Sequence, residues 1–271
     1  MPIYLAIGSK PARYDAPIMT ATTVHYQRPR VDAELLGKLM ACTTIESLTA
    51  VVQTAAERLG FEHWIYGALM PISPTRTEEF VINGYPEEWW QHYLHAGYTV
   101  ADPTVKYARE HAVPSLWDDL AKRSPRVANV NRAALIFNEA RSFGLAKGVC
   151  VPLHGLGCIF GLMSFASADP RHPIMESSVH AEATLLATYV HQVASLLISR
   201  PHAETLRPLS PRERECLKWA AEGKNSWEIG HLLKISERTV IFHLTNVTEK
   251  LGVMNRQQAV AKALVLGLLD G

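Results

Sequence analysis

Along the chain the apolar positions change period, and those changes divide it into segments. From Val31 to about Cys42, and again from Ile45 to Leu59, they recur every three or four residues, the period of an amphipathic helix. In the second segment Leu48, Val51, Val52, Ala55 and Leu59 share one face, and Gly60 stands just past the end, where a left-handed residue can close a helix. The short apolar runs WIYGALM and FVIN, separated by a Pro/Ser/Thr cluster, predict strands. PEEWWQHYLHAG predicts a helix with Trp89 and Tyr93 four residues apart on one face. A short helix is expected from Asp102–Pro103 to about His111, and another from Asn131 to Phe143, stopped by Gly144. GVCVPLHG and FGLMSFAS read as strands, and Met175 to Ser199 as a long helix. Helices at both ends with strands between them predict an α+β fold for residues 31–200, an α/β/α sandwich around a mainly antiparallel sheet.

The flanking segments lack that order. Residues 1–30 are rich in Pro, Thr, Ala and Tyr without a sustained period, which predicts a flexible extension or a stretch upstream of a start at Met19. Arg200 to Pro208 holds two prolines among polar residues, so residues 201–208 are expected to be a linker.

Capping chemistry then marks four helices within residues 209–271. Ser210-Pro211-Arg212-Glu213 is a capping box with proline at the first helical position, and Gly223 follows that helix. Asn225 to Glu228 repeats the pattern for a helix that carries Ile229, Leu232 and Leu233 inward. Ser236 caps a third helix, closed by Gly252, and Asn255 with Gln258 makes a fourth box. Such a unit is too small to host much chemistry but suits a helix-turn-helix that places one helix in a DNA groove. On the third helix Val240, Leu244, Val247 and Leu251 form the inward stripe. The opposite face presents Arg238, Phe242, Thr245 and Asn246, residue types that pair with guanine, thymine methyl and adenine edges. The helix N-terminus at Thr239, His243 at the boundary of core and groove, and Lys250 are placed to meet phosphate. A protein-binding module with a solvated polar face fits the same pattern. Trp219 and Trp227 are expected to pack within the domain.

Composition narrows the setting. Charge is uneven: from Arg207 onward ten Lys/Arg face seven Asp/Glu, whereas the other 206 residues carry seventeen against nineteen. A basic unit therefore follows a mildly acidic one. No run of eighteen apolar residues predicts a membrane span. The four cysteines are scattered without a CxxC, and no secretory signal pattern is present, so a cytoplasmic protein with reduced thiols is expected. No G-x-S-x-G, P-loop or HExxH motif occurs, so neither catalysis nor a cofactor is expected. Cys150, His154 and Cys158 suggest a metal site only if a fourth ligand joins them; on adjoining strands they are expected to alternate between core and surface.

LSPRERECLKWAAEGKNSWEIGHLLKISERTVIFHLTNVTEKLGV closely resembles the C-terminal domain of LuxR-type quorum-sensing regulators. The family's Glu, Leu and Gly landmarks fall at Glu213, Leu217 and Gly223, and its EIxxLLxISERTVxFH core at Glu228 to His243. Ile241 departs from the pattern, standing where relatives often carry a polar residue. A phosphoacceptor receiver in front of this domain is excluded, because the acidic pair Asp118–Asp119 comes too late for the first strand. GYPEEWWQHYLHAGYTVADPTV instead resembles the signal-binding domain of the same family, with Trp89, Tyr93, Asp102 and Pro103 in the W-x3-Y-x8-D-P pattern and Tyr85, Trp117 and Gly148 as further matches.

The resemblance implies an N-acyl-homoserine lactone held between the sheet and one helical layer. The Trp89 indole is donor-only and suits the lactone carbonyl, and the acceptor-only Asp102 carboxylate suits the amide N–H. The Tyr85 hydroxyl, helped by Ser164, suits the amide carbonyl, while Tyr93 and Trp117 offer ring faces to the chain and lactone. Plainer roles stand beside these: Asp102 as the cap before Pro103, Trp89 and Tyr93 as core, Tyr85 as a turn residue. The resemblance further implies a homodimer on an imperfect palindrome of double-stranded DNA, with RNA polymerase among its partners. The alternatives are the same regulator answering a different small apolar signal or none, and a lactone hydrolase fused to a DNA reader.

Overall fold

A computed structural model of the chain describes residues 30–73, 75–123, 132–155, 159–174, 177–205 and 207–269. The expected N-terminal extension, the helix start at Asn131, Cys158 and the helix start at Met175 lie outside these described residues. At the centre is an antiparallel sheet. β1 (His63–Ser73) pairs with β2 (Arg76–Gly84) on one side and β5 (Phe160–Ser167) on the other. β5 pairs in turn with β4 (Lys147–His154), and β4 with the two-residue β3 (Ser115–Leu116), giving the order β2-β1-β5-β4-β3.

Period-two alternation along these strands feeds two cores. Trp64, Tyr66, Met163, Phe165, Val149 and Val151 face α1 (Ala33–Met40), α2 (Ile45–Arg58) and α7 (Ser177–Thr205). The other face looks onto α3 (Glu87–His95), a 3-10 turn at Tyr98–Val100, α4 (Pro103–Glu110), α5 (Trp117–Arg123) and α6 (Arg132–Ser142). The α/β/α sandwich expected from the pattern is therefore present. Fully buried Trp64, Phe61, Phe165 and Leu48 each stabilise the first core by roughly 1.5–3 kcal/mol of transfer free energy.

Local signals set the helix bounds. Asp32 caps α1 by accepting from Leu35 N, and Thr44 with Ser47 forms a reciprocal box at α2. Gly60, with φ +85°, closes the turn after α2, and a Cβ there would sit 2.8 Å from His172 Nε2. Two elements carried no readable period: β3 and α5 are only two and seven residues long. The expected linker is also shorter than the prolines suggested, because α7 continues through Pro201 to Thr205. Within α7, Ser178–Ser199 is long and apolar enough to cross a membrane. Its Val179, Ala183, Leu186, Ala187, Val190 and Val193 are nonetheless buried against the sheet core.

The C-terminal unit comprises α8 (Pro211–Ala221), α9 (Ser226–Leu233), α10 (Glu237–Leu251) and α11 (Arg256–Val265) around Leu217, Ile229, Val240, Val247 and Leu251. Both halves of the boxes at Ser210/Glu213 and Asn225/Glu228 form. The fourth differs: Asn255 caps Gln258 N, but the Gln258 side chain accepts from Met254 N, one residue early. α9 ends on Lys234 in the left-handed region, φ +55°, which turns the chain sharply into α10. α11 lies against β1, so the small unit rests on the sheet.

Behind the sheet, Tyr66 Oη meets His191 Nδ1 at 2.9 Å, while His191 Nε2 has no partner among the described residues. Burial pulls the His191 pKa down to about 4, so folding holds the imidazole neutral, whereas the unfolded chain protonates it near its ordinary value. The resulting stability, on the order of 3 kcal/mol, is complete above about pH 6.5 and is lost as pH falls toward 4. Urea unfolding at pH 7.5 and pH 5 should show this loss in the native chain and much less of it in His191→Gln; equal pH slopes would contradict the assignment.

Candidate functional site

Between the second sheet face and the α3–α6 layer lies a cavity of about 180 Å³. Tyr85, Trp89, Tyr93, Asp102, Trp117 and Ser164 all line it, so the six residues singled out from the sequence converge on one space. Trp89 and Tyr93 sit one turn apart on α3, ring centroids 5.9 Å apart and edge to face. Trp89 also packs on Tyr98 and Phe143. Glu139 on α6 accepts from the Tyr98 hydroxyl at 2.7 Å and lies 2.7 Å from His92 Nε2, which ties α3 to α6. Those two contacts hold the Glu139 carboxyl below its usual range. Among the described residues the Trp89 indole N–H makes no hydrogen bond, leaving a donor at the cavity wall.

Asp102 holds two roles at once. Its Oδ1 accepts from Thr104 N at 2.7 Å and from Thr104 Oγ1 at 2.6 Å, capping α4 ahead of Pro103. Its Oδ2 accepts from the Tyr93 hydroxyl at 2.7 Å. Burial pushes the Asp102 pKa up, against the pull of the Thr104 and Tyr93 hydrogen bonds. The Val105 backbone N–H also favours the charged form, and the direction left for a further donor is the second one of Oδ2, which accepts from Tyr93.

Trp117 and Ser164 form a unit that the sequence reading did not foresee. Trp117 Nε1 donates to Ser164 Oγ at 3.0 Å, and Ser164 Oγ donates to Val149 O at 3.1 Å. The Ser164 proton is thus committed to the backbone, and the side chain orients Trp117 instead of donating into the cavity. Tyr85 stands edge-on to Trp117, and burial pushes its hydroxyl pKa up. Phe137 stacks on the other side of Trp117, centroids 5.1 Å apart. Gly148 makes this possible, since a Cβ there would lie 2.4 Å from the Trp117 indole.

Other lining residues went unmarked: Gly67, Thr104, Val105, Arg109, Ile136 and Phe137 among them. Gly67 had a signal, a glycine inside the strand run WIYGALM, where a missing side chain usually marks a close approach. A Cβ on Gly67 would meet nothing within 4 Å, so this glycine opens the cavity floor. Cys150 is buried and His154 exposed, but four residues apart they share one face of β4, so they differ by position along the strand and not by the expected alternation. No cluster of three metal-ligating side chains occurs among the described residues.

On the reader unit, α10 buries Val240, Leu244, Val247 and Leu251 and leaves Arg238, Phe242 and Thr245 exposed, with Thr239, His243 and Asn246 half-buried. Ile241 is exposed beside them. Lys250, expected at a phosphate, is engaged within the protein in this structure. Its ammonium donates to Glu213 at 2.7 Å and to Pro208 O at 3.1 Å, pinning α10 to α8. That pair holds the buried Glu213 carboxyl below its usual range despite burial. Trp227, expected to pack, is 59% exposed and meets the His231 ring at 4.8 Å, because it lies on the outer face of the short α9.

Comparison with known proteins agrees with both halves. Residues 44–194 match the autoinducer-binding-domain family, and residues 207–263 match the bacterial regulatory proteins of the luxR family. The chain is 35% identical over 237 residues to the transcriptional activator protein VanR of Vibrio anguillarum, covering 87% of this chain and 96% of that one. It is 30% identical to the transcriptional activator LuxR of Aliivibrio fischeri, covering 88% and 94%. Among solved structures, SdiA in complex with octanoyl-rac-glycerol superposes with a TM-score of 0.71 at 27% identity, covering 88% of this chain and 95% of that one. With an autoinducer-binding domain in front and a helix-turn-helix behind, the chain belongs to the LuxR family of quorum-sensing transcription regulators.

Proposed function

We propose that this regulator is cytoplasmic, takes an N-acyl-homoserine lactone into the cavity, and in that state binds an imperfect DNA palindrome as a homodimer. Two-fold symmetry would place one α10 in each half-site, whole helical turns apart, and RNA polymerase would be the partner through which an activator acts. The observation that carries the reading is the convergence of an indole donor with no partner among the described residues, Trp89, and a buried acceptor, Asp102, on one apolar-walled space. An acyl-homoserine lactone offers the complementary set: a lactone carbonyl for Trp89, an amide N–H for the remaining acceptor direction of Asp102, and an amide carbonyl for Tyr85. Tyr93 and Trp117 supply ring walls, and the sheet floor receives the chain. Greasy walls with a few aimed polar groups are what such sites need. At the reader, Arg238, Phe242, Thr245 and Asn246 would face bases, with Thr239 and His243 toward phosphates.

A second reading has a specific observation behind it: the SdiA neighbour carries an eight-carbon acyl group on a glycerol head. An acylated polar head other than a lactone would use the same walls, so the test must include both.

Calorimetric titration of the full chain with a lactone panel and with monoacylglycerols separates the two. A bound lactone at a hundredfold over its dissociation constant should stabilise the fold by about 2.7 kcal/mol. Trp89→Phe keeps the ring and removes the donor, and should weaken lactone binding roughly tenfold. Gly67→Val should build into open space, leaving the fold intact while long acyl chains bind more weakly than short ones. Lactones that neither bind nor raise the melting temperature, with acylglycerols that do, would replace the first reading with the second.

A further inference from the structure

We infer that the end of the cavity remote from Asp102 is a selectivity gate, where Arg109 and Phe160 favour an acyl chain ending in a π system over a saturated one. This rests on the function proposed above.

Two elements give the cavity the same direction. Cross-strand register places Asn83, Ile65, Ser164 and Cys150 in one row, and Glu79, Leu69, Phe160 and His154 in another, four residues further along each strand. At ~3.3 Å per residue the rows are roughly 13 Å apart. α4 runs alongside: Asp102 caps its first turn and Arg109 stands seven residues on, roughly 10 Å by helical rise. The polar groups thus gather at one end and Arg109 with Phe160 at the other, and all of them line the cavity.

Arg109 is exposed at this mouth, with its guanidinium carbon 5.7 Å from the Phe160 ring centroid. Some arginines here have acids, as Arg76 has Glu78, Arg141 has Asp118 and Arg212 has Glu215, whereas others such as Arg214 and Arg238 make no ion pair among the described residues. Among the described residues Arg109 makes no ion pair, although Glu79 lines the same cavity. Its charge is instead set against a ring. A guanidinium held on one aromatic face keeps its other face and edge free, and both attract a second π system. A saturated chain end gains only dispersion there and shields the cation from water without compensation.

Titration of the full chain tests this with two probes matched in heavy-atom count, a phenyl-terminated and a straight-chain acyl-homoserine lactone. The native protein should bind the phenyl-terminated probe roughly three- to tenfold more tightly. Arg109→Met, which keeps the stem and removes the cation, should bring that ratio to about one, and Phe160→Leu should reduce it, with both melting temperatures close to native. A native ratio of one or below, or a ratio unaffected by Arg109→Met, overturns the gate while leaving the lactone reading intact. A larger Arg109-dependent gain for a carboxyl-terminated chain would overturn it too, since the site would then read charge. Failure of both probes to bind the native chain sinks the gate together with the reading beneath it.

Discussion

Burying a carboxylate is costly unless hydrogen bonds surround it, and Asp102 shows how this protein meets that cost. The same two oxygens that start α4 also close a contact from Tyr93 on α3. Helix placement and site chemistry are therefore one interaction. Without the Tyr93 and Thr104 donors burial would push the acid's pKa higher still and leave α4 uncapped; without the acid, α3 and α4 would lose the link that sets the cavity's polar end. Asp102 is thus held by the start of α4 and by α3.

The cavity itself exists because side chains are missing where the layers meet. Gly67 leaves the sheet floor open, and Gly148 lets Trp117 lie flat on β4 while Phe137 covers it. Around that space the aromatic groups are fixed by distant partners, Trp117 through Ser164 and Tyr98 through Glu139. β1 contributes the floor on one face and the Trp64–Tyr66 core on the other, and α11 of the reader unit rests against it. A change in the floor is therefore one strand away from the DNA-binding half.

Much of this was legible in the residues themselves. Helix ends followed capping chemistry, and Ser210, Asn225, Ser236 and Gly252 behave as their types demand. Trp89, Tyr93 and Asp102 were singled out by the resemblance to the family's W-x3-Y-x8-D-P pattern, since helical spacing and a Pro-preceding acid by themselves read as core and cap. What escaped depends on contacts distant in sequence. Ser164 was read as a donor to ligand, yet Val149, its neighbour across the sheet, takes its proton. Lys250 was read as a phosphate contact, yet it is spoken for by Glu213, thirty-seven residues earlier. Trp227 was read as packing because large rings usually are, whereas α9 is too short to cover its outer face. Such pairings follow from register and layer geometry, which no local window contains.

The central claim is that filling the cavity strengthens the grip of α10 on DNA. It is tested most directly by equilibrium binding of the full chain to a duplex it selects from a random pool, at one salt concentration, with and without the bound lactone. The account predicts at least a tenfold gain in affinity when the lactone is present. Equal affinity in both conditions, with the lactone demonstrably bound, would contradict it.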